Sequence, residues 1–225
     1  MKFEPLESKE SGTQYLVDSA YNAIRDAILG NQLKPGTNLS EAELARKLGI
    51  SRTPTREALK RLEEDGLVQN IPRKGAFVTE ITIEMIVEIY QLREALECYA
   101  VEFVPHYGDP DELERLEKEI INTPIYIKDN RIDLLHRLDE RMHAMIVCSA
   151  QNQMLIKLNQ RFIQQGSLNR HVIPMSIERL MEIHREQLSI LESIRARNIL
   201  TAREAVANHL RNSCNHVVQV RLKML

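Results

Sequence analysis

Apolar residues recur at helical spacing along most of this chain, and one short stretch interrupts that pattern. Ala20, Ile24, Ile28 and Leu29 predict a first helix over about Leu16–Leu29, closed by the breaker "GNQLKPG". "SEAE" follows, with Ser40 at an N-cap and Glu43 three positions on, the spacing of a capping box. It opens a short helix whose inner face is Leu44, Ala45 and Leu48 and which Gly49 ends. Ser51 is placed to cap the next helix, Pro54 falls in its first turn where no intrahelical N–H is lost, and Ala58, Leu59 and Leu62 form its buried stripe. The interruption comes next. Leu67–Ile71 and Ala76–Val78 read as two short strands joined by a turn of Pro72, Arg73, Lys74 and Gly75. From about Ile81 onward the period is helical again. Candidate helices cover Ile83–Val104, Pro110–Ile121, Arg131–Ser149, Met154–Asn169, Ile177–Arg197 and Ala202–Leu222, with breaks at "HYGDP", "NTPIYIKDN", "SAQNQ" and "RHVIPMS".

Two short helices joined by a Gly-containing turn and followed by a hairpin make a winged helix-turn-helix. The expected fold is therefore mainly α: a winged helix over residues 1–79, then an all-α bundle over residues 80–225, joined by a short linker near Thr79–Thr82.

Composition changes this picture little. Aromatics are 4% of the chain and Trp is absent. The three cysteines, Cys98, Cys148 and Cys214, form no CxxC pair, which suits a reducing compartment. No apolar h-region opens the sequence and no apolar run spans a bilayer, so a cytoplasmic protein without membrane partners is expected.

Charge changes it more. The net charge is −2, yet between Arg46 and Arg61 stand six basic residues and one acidic residue, Glu57. A patch this concentrated in a near-neutral chain suits a polyanion. With the apolar stripe turned inward, Arg52, Thr53, Thr55 and Arg56 are expected to project from the N-terminal end of the second helix. In a helix-turn-helix those positions reach base edges in the major groove. Arg73, Lys74 and Gly75 at the hairpin tip are the expected second contact with DNA.

The run "LKPGTNLSEAELARKLGISRTPTREALKRLEEDGLVQNIPRKGAFV" resembles the N-terminal winged helix of the GntR family of bacterial transcription regulators over nearly the whole domain. The resemblance implies Arg52 and Arg56 as base- or phosphate-contacting residues. Ala42 stands where some members carry an Arg.

In the helical half, polar residues on apolar stripes need a reason to be there. Asp139 lies on the stripe Leu135, Met142, Ile146, and His143 is one turn further. His184 lies within the stripe Leu180, Met181, Leu188, Leu191, and His209 follows Ala205 and Val206 at helical spacing. Each has an ordinary reading as a core or salt-bridged residue. Together, one carboxylate and three imidazoles from three helices suit a divalent transition metal such as Zn, Ni or Mn. Spacing leaves both readings open.

"LDERMHAMIVCSAQNQML", "EIHREQLSILESIRARN" and "AREAVANHL" resemble the signature segments of the FCD effector domain in the FadR-type branch of GntR regulators. The resemblance implies that Asp139, His143, His184 and His209 are the metal ligands, with Met142 in place of a usual Phe, and that a small organic acid completes the coordination. It also argues against an acyl-CoA ligand. Arg93 lies on the inner face of the first bundle helix and is a candidate for the effector carboxylate; a salt bridge with Glu94 or Glu97 is the competing reading. Tyr90 and Asn152 are further pocket candidates, Asn152 equally a helix cap. His136 and His216 read as packing or surface residues.

The expected protein is a homodimeric DNA-binding regulator of a metabolic operon, a repressor in the commoner case, with operator DNA and a small carboxylate as partners. No HExxH and no Ser-His-Asp or Cys-His constellation favours an enzyme, so none is expected. Two alternatives stay open: a metalloenzyme with a DNA-binding appendage, and a regulator whose bundle only dimerises.

Overall fold

The computed structural model describes residues 12–168 and 173–224. They form two compact units, one of residues 12–82 with 164–168, the other of residues 83–163 with 173–224. The expected helix end at Asn169 and part of "RHVIPMS" lie outside the described residues.

The first unit begins with α1 (Thr13–Leu29), which buries Val17, Ala20, Ile24 and Ile28. A two-residue strand β1 (Asn38–Leu39) precedes α2 (Glu41–Leu48) and α3 (Arg52–Glu64). The hairpin β2 (Val68–Ile71) and β3 (Gly75–Val78) completes an antiparallel sheet of order β1-β3-β2, with Ile71 opposite Gly75. The sequence reading lacked β1, because two residues are too short for an alternating pattern to register.

Ser40 caps α2 through Glu43 N–H, but the Glu43 carboxylate turns to Lys47 at 2.6 Å instead of closing the capping box. Gly49 adopts φ 69°, the left-handed conformation a helix end often takes and glycine adopts freely, and its N–H returns to the Ala45 carbonyl. Ser51 does not cap α3 with its side chain. Its carbonyl instead accepts from the Thr55 hydroxyl at 3.1 Å.

The second unit is a bundle of α4 (Ile83–Ala100), a 3₁₀ turn (Val101–Phe103), α5 (Val104–Tyr107), α6 (Pro110–Ile121), α7 (Thr123–Lys128), α8 (Ile132–Ser149), α9 (Gln153–Ser167, as far as Ile163), α10 (Ile177–Arg195) and α11 (Ile199–Met224). α11 packs against both α4 and α10, and α8 against α4. Met142, Ile146, Ile190, Leu191, Val206 and Leu210 are among the fully buried side chains between them. The break expected at "NTPIYIKDN" is the helix α7, with Pro124 in its first turn. Asp109 caps α6, accepting from the N–H groups of Asp111 and Glu112. No described helix is long and apolar enough to cross a membrane.

Candidate metal centre and nucleic-acid interface

On α3 the burial of Ala58, Leu59 and Leu62 turns Arg52, Thr53, Arg56 and Lys60 outward, all of them exposed. Arg52, Arg56 and Lys60 are spaced four apart and form one stripe. None joins an ion pair among the described residues. Thr55 corrects the sequence reading: it is fully buried, its hydroxyl spent on Ser51. At i+3 before Ala58 it belongs to the inward face, so it does not project toward DNA. Arg61 also leaves the basic patch. It pairs with Asp18 and lies over the Tyr21 ring at 4.5 Å, while the Tyr21 hydroxyl donates to Asp65 at 2.7 Å.

At the hairpin tip, Lys74 N–H closes a turn on the Ile71 carbonyl at 3.0 Å. This sets Arg73 at φ 66° and Gly75 at φ 97°, and leaves the Arg73 and Lys74 side chains exposed. The Asn38 amide reaches the Lys74 carbonyl at 3.4 Å, so β1 braces the tip.

In the bundle, α8 and α11 bring three candidate ligands together. Donor atoms of Asp139, His143 and His209 all lie within 4.8 Å of one another. The two Nε2 atoms face each other at 3.2 Å, with the rings 5.1 Å apart. Asp139 sends one oxygen to within 3.6 Å of His143 Nε2 and the other to within 3.4 Å of His209 Nε2. Two imidazoles on one zinc-sized ion stand about 2.9–3.4 Å apart at the nitrogen, given metal–nitrogen bonds of about 2.0–2.1 Å. The spacing fits.

Each imidazole is held from behind. His143 Nδ1 meets the fully buried Glu97 carboxylate, and His209 Nδ1 meets Glu186 at 2.8 Å. A carboxylate on Nδ1 fixes the proton there and points the Nε2 lone pair into the centre. Arg93 Nε donates to the other oxygen of Glu97 at 2.8 Å, and its guanidinium sits 5.6 Å from the centre of the Tyr90 ring. Of the two readings for Arg93, the structure contains the salt bridge with Glu97.

These charges set the local acidities. Burial works against the Glu97 carboxylate, but Arg93 and His143 outweigh it and bring its pKa down to about 2. Burial likewise opposes ionisation of Asp139, and the two imidazoles and Arg93 hold it well below the usual carboxylate range. Burial would lower His209; Asp139 and Glu186 prevail and push it up to about 9 in the absence of a cation.

His184 departs from the expected ligand set. It is buried, bonded to the Ile120 backbone carbonyl, with Nδ1 lacking any partner, and it is not in the cluster. Burial lowers its pKa. Two α10 residues do reach the cluster: Glu186 on His209 Nδ1, and Gln187, 3% exposed, whose amide donates to Asp139 Oδ1 at 2.9 Å. Three residues along a helix is a rise of about 4.5 Å, enough to move a side chain from one layer of the bundle to the next. Of the two readings for Asn152, the structure contains the helix cap: its side chain is exposed and accepts from the N–H groups of Met154 and Leu155 at the start of α9.

The sequence reading has Glu97 only as a possible partner of Arg93 and lacks Glu186 and Gln187, though Glu97 and Gln187 carry a signal. Glu97 shares a face with Ile86, Ile89, Arg93 and Ala100, and Gln187 lies seven after Leu180 and four before Leu191. Both are polar residues on apolar stripes.

A winged helix followed by an α-helical bundle with a buried polar centre is an architecture that transcriptional regulators use. Residues 16–78 match the family described as bacterial regulatory proteins, gntR family, and residues 88–212 match the FCD domain. The chain belongs to the GntR family of transcriptional regulators, in the group that carries an FCD domain. It is 32% identical over 201 residues to the uncharacterised HTH-type regulator YdhC of Bacillus subtilis (strain 168), covering 89% of this chain and 90% of that one. It is 26% identical to the HTH-type transcriptional repressor RspR of Escherichia coli (strain K12), over 96% and 95% of the two chains. Among solved structures, a GntR transcriptional regulator from Rhodococcus sp. RHA1 superposes with a TM-score of 0.76 at 24% identity, over 90% of this chain and 97% of that one. E. coli McbR/YncC superposes at 0.75 and 22% identity, over 91% and 97%. YdhC and RspR are transcriptional regulators, not enzymes.

Proposed function

We propose that this regulator binds a pseudo-palindromic operator as a homodimer in the cytoplasm and represses a metabolic operon. A small carboxylate bound at a divalent metal in the bundle relieves the repression. Arg52, Thr53 and Arg56 are the major-groove residues, and Arg73, Lys74 and the Gly75 backbone contact the flanking DNA. Asp139, His143 and His209 are the metal ligands. The observation that carries the metal reading is the pair of Nε2 atoms 3.2 Å apart, each imidazole held from behind by a carboxylate. Two unprotonated lone pairs at that distance repel unless a cation lies between them or one nitrogen keeps a proton. A Zn, Ni or Mn ion would supply open positions to an acid. The chain's own residues do the rest. Glu97 and Glu186 fix the imidazole tautomers, and Gln187 steadies Asp139. Arg93, braced by Glu97 and close enough for its charge to act on Asp139, offers positive charge to a carboxylate at the centre. The effector must bind one arrangement of the winged helices better than another, since a ligand shifts only what it discriminates.

The test is elemental mass spectrometry on untagged protein purified without chelators, beside a His143→Ala, His209→Ala double variant. It is paired with fluorescence anisotropy on DNA from the protein's own promoter region. About one divalent ion per chain, lost in the variant, and citrate weakening DNA binding only in loaded protein are expected. Absence of metal after incubation with Zn, Ni and Mn would refute the metal reading and leave a bundle that only dimerises.

A further inference from the structure

Four residues of α10 and α11 decide how many imidazoles the centre contains. α11 supplies His209. α10 contributes three candidates within one turn, and each has a different fate. Glu186 turns to His209 Nδ1 at 2.8 Å and is itself held by Arg179 at 3.0 Å and by the Asn212 amide at 2.9 Å. Gln187 turns inward to Asp139. His184 bonds the Ile120 carbonyl, outside the cluster. A neutral amide therefore stands at the α10 side of the donor set, where an imidazole is absent.

We infer that Gln187 is the specificity-determining residue of this centre. It leaves the chain with two imidazoles and one carboxylate as its strong ligands, and makes His184 a structural residue. This rests on the metal reading above and adds to it a donor count and a metal preference. The chemistry follows from ligand type. Imidazole favours zinc, nickel and copper, whereas carboxylate and carbonyl oxygens suit manganese and other harder ions. A set with an amide in place of a third imidazole is less biased toward zinc. It also holds the ion with fewer protein ligands, which leaves more of its coordination to a chelating acid. Gln187 has a second task. Its N–H on Asp139 Oδ1 keeps the carboxylate turned toward the two Nε2 atoms, in a pocket where burial alone would favour the protonated acid.

The test uses full-length protein stripped with chelator and reloaded with Cu²⁺ as a probe, because pulsed electron paramagnetic resonance counts coordinated imidazoles directly. Wild type is expected to show two. His184→Ala is expected to leave two and to bind Zn²⁺ within about twofold of wild type. Gln187→His is expected to show three and to tighten Zn²⁺ at least about tenfold in competition with a chromophoric chelator, with a smaller change for Mn²⁺. Thermal melting and promoter binding of each variant report whether it is folded, and the wild-type count requires no variant. Three imidazoles in wild type falling to two in His184→Ala would overturn the inference. So would an unchanged count of two in folded Gln187→His. No specific Cu²⁺ or Zn²⁺ binding by wild type and Gln187→His would defeat the metal reading itself.

Discussion

Replacing Glu97 with Gln probes the buried support of the centre while preserving its shape. Glu97 is fully buried, one oxygen 2.8 Å from Arg93 Nε and the other on His143 Nδ1. Gln has the same volume, so no cavity opens. Both neighbours of Glu97 are donors, however, and an amide has only one acceptor to offer. One contact becomes a clash of donors, and Arg93, 8% exposed, loses its counterion. Breaking a buried ion pair from one side costs about 3–5 kcal/mol. For a domain of this size that is about 6–20 °C in melting temperature. The protein has one escape. If His143 moves its proton to Nε2, Nδ1 can accept from the amide, and the clash is relieved. The proton then stands between the two Nε2 atoms, and metal affinity should fall about 10–100-fold. Stability lost or metal affinity lost is therefore the expected outcome, measured by calorimetry of chelator-stripped protein and by chelator competition. The control is Glu94→Gln. Glu94 forms a bidentate pair with Arg211, which is 62% exposed, and its loss should cost less than about 1 kcal/mol. If stripped Glu97→Gln melts within about 2 °C of wild type and binds metal within about twofold, the buried network does not work as described. The pKa of Glu97 lies below its ordinary value, so its contribution is present above the ordinary carboxylate range and is lost as pH falls toward about 2. The difference between wild type and variant should narrow in that direction.

Two further outcomes are expected. With the pKa of His209 raised from 6.5 to about 9, its pairing stabilises metal-free protein fully below about pH 6.5, and that stability is lost as pH rises through about 9. Melting temperature against pH in chelator should fall over this window in wild type, and a His209→Gln variant should lack that fall. Arg73→Gly relieves a left-handed residue worth about 1–2 kcal/mol, offset in part by the entropy of glycine in the unfolded chain. Its melting temperature should hold or rise slightly, while promoter binding weakens and the salt dependence drops by about one counterion. Unchanged DNA affinity would remove the wing tip from the interface.

Local information carried the first unit. The signals lie within a few residues of each other: Gly49 at a helix end, Pro54 in a first turn, apolar stripes on α2 and α3, and a basic tip between two short strands. The exposed face of α3 follows once its buried face is known. Thr55 was misplaced because a threonine on the boundary of the stripe can turn either way, and burial against the rest of the unit decides. β1 was missed because it exists only as a partner of β3.

The sequence by itself determined the helical period of the bundle, the identity of most of its inward polar residues, and the family. It could not determine which of them meet. His184 and Gln187 lie on the same stripe of α10, three positions apart, and both are buried. Periodicity fixes the direction a side chain faces around the helix, but not its height relative to α8 and α11, which depends on how the helices slide when they pack. That axial register put Gln187 beside Asp139, left His184 with the Ile120 carbonyl, and gave the two imidazoles of His143 and His209 their buried carboxylate partners.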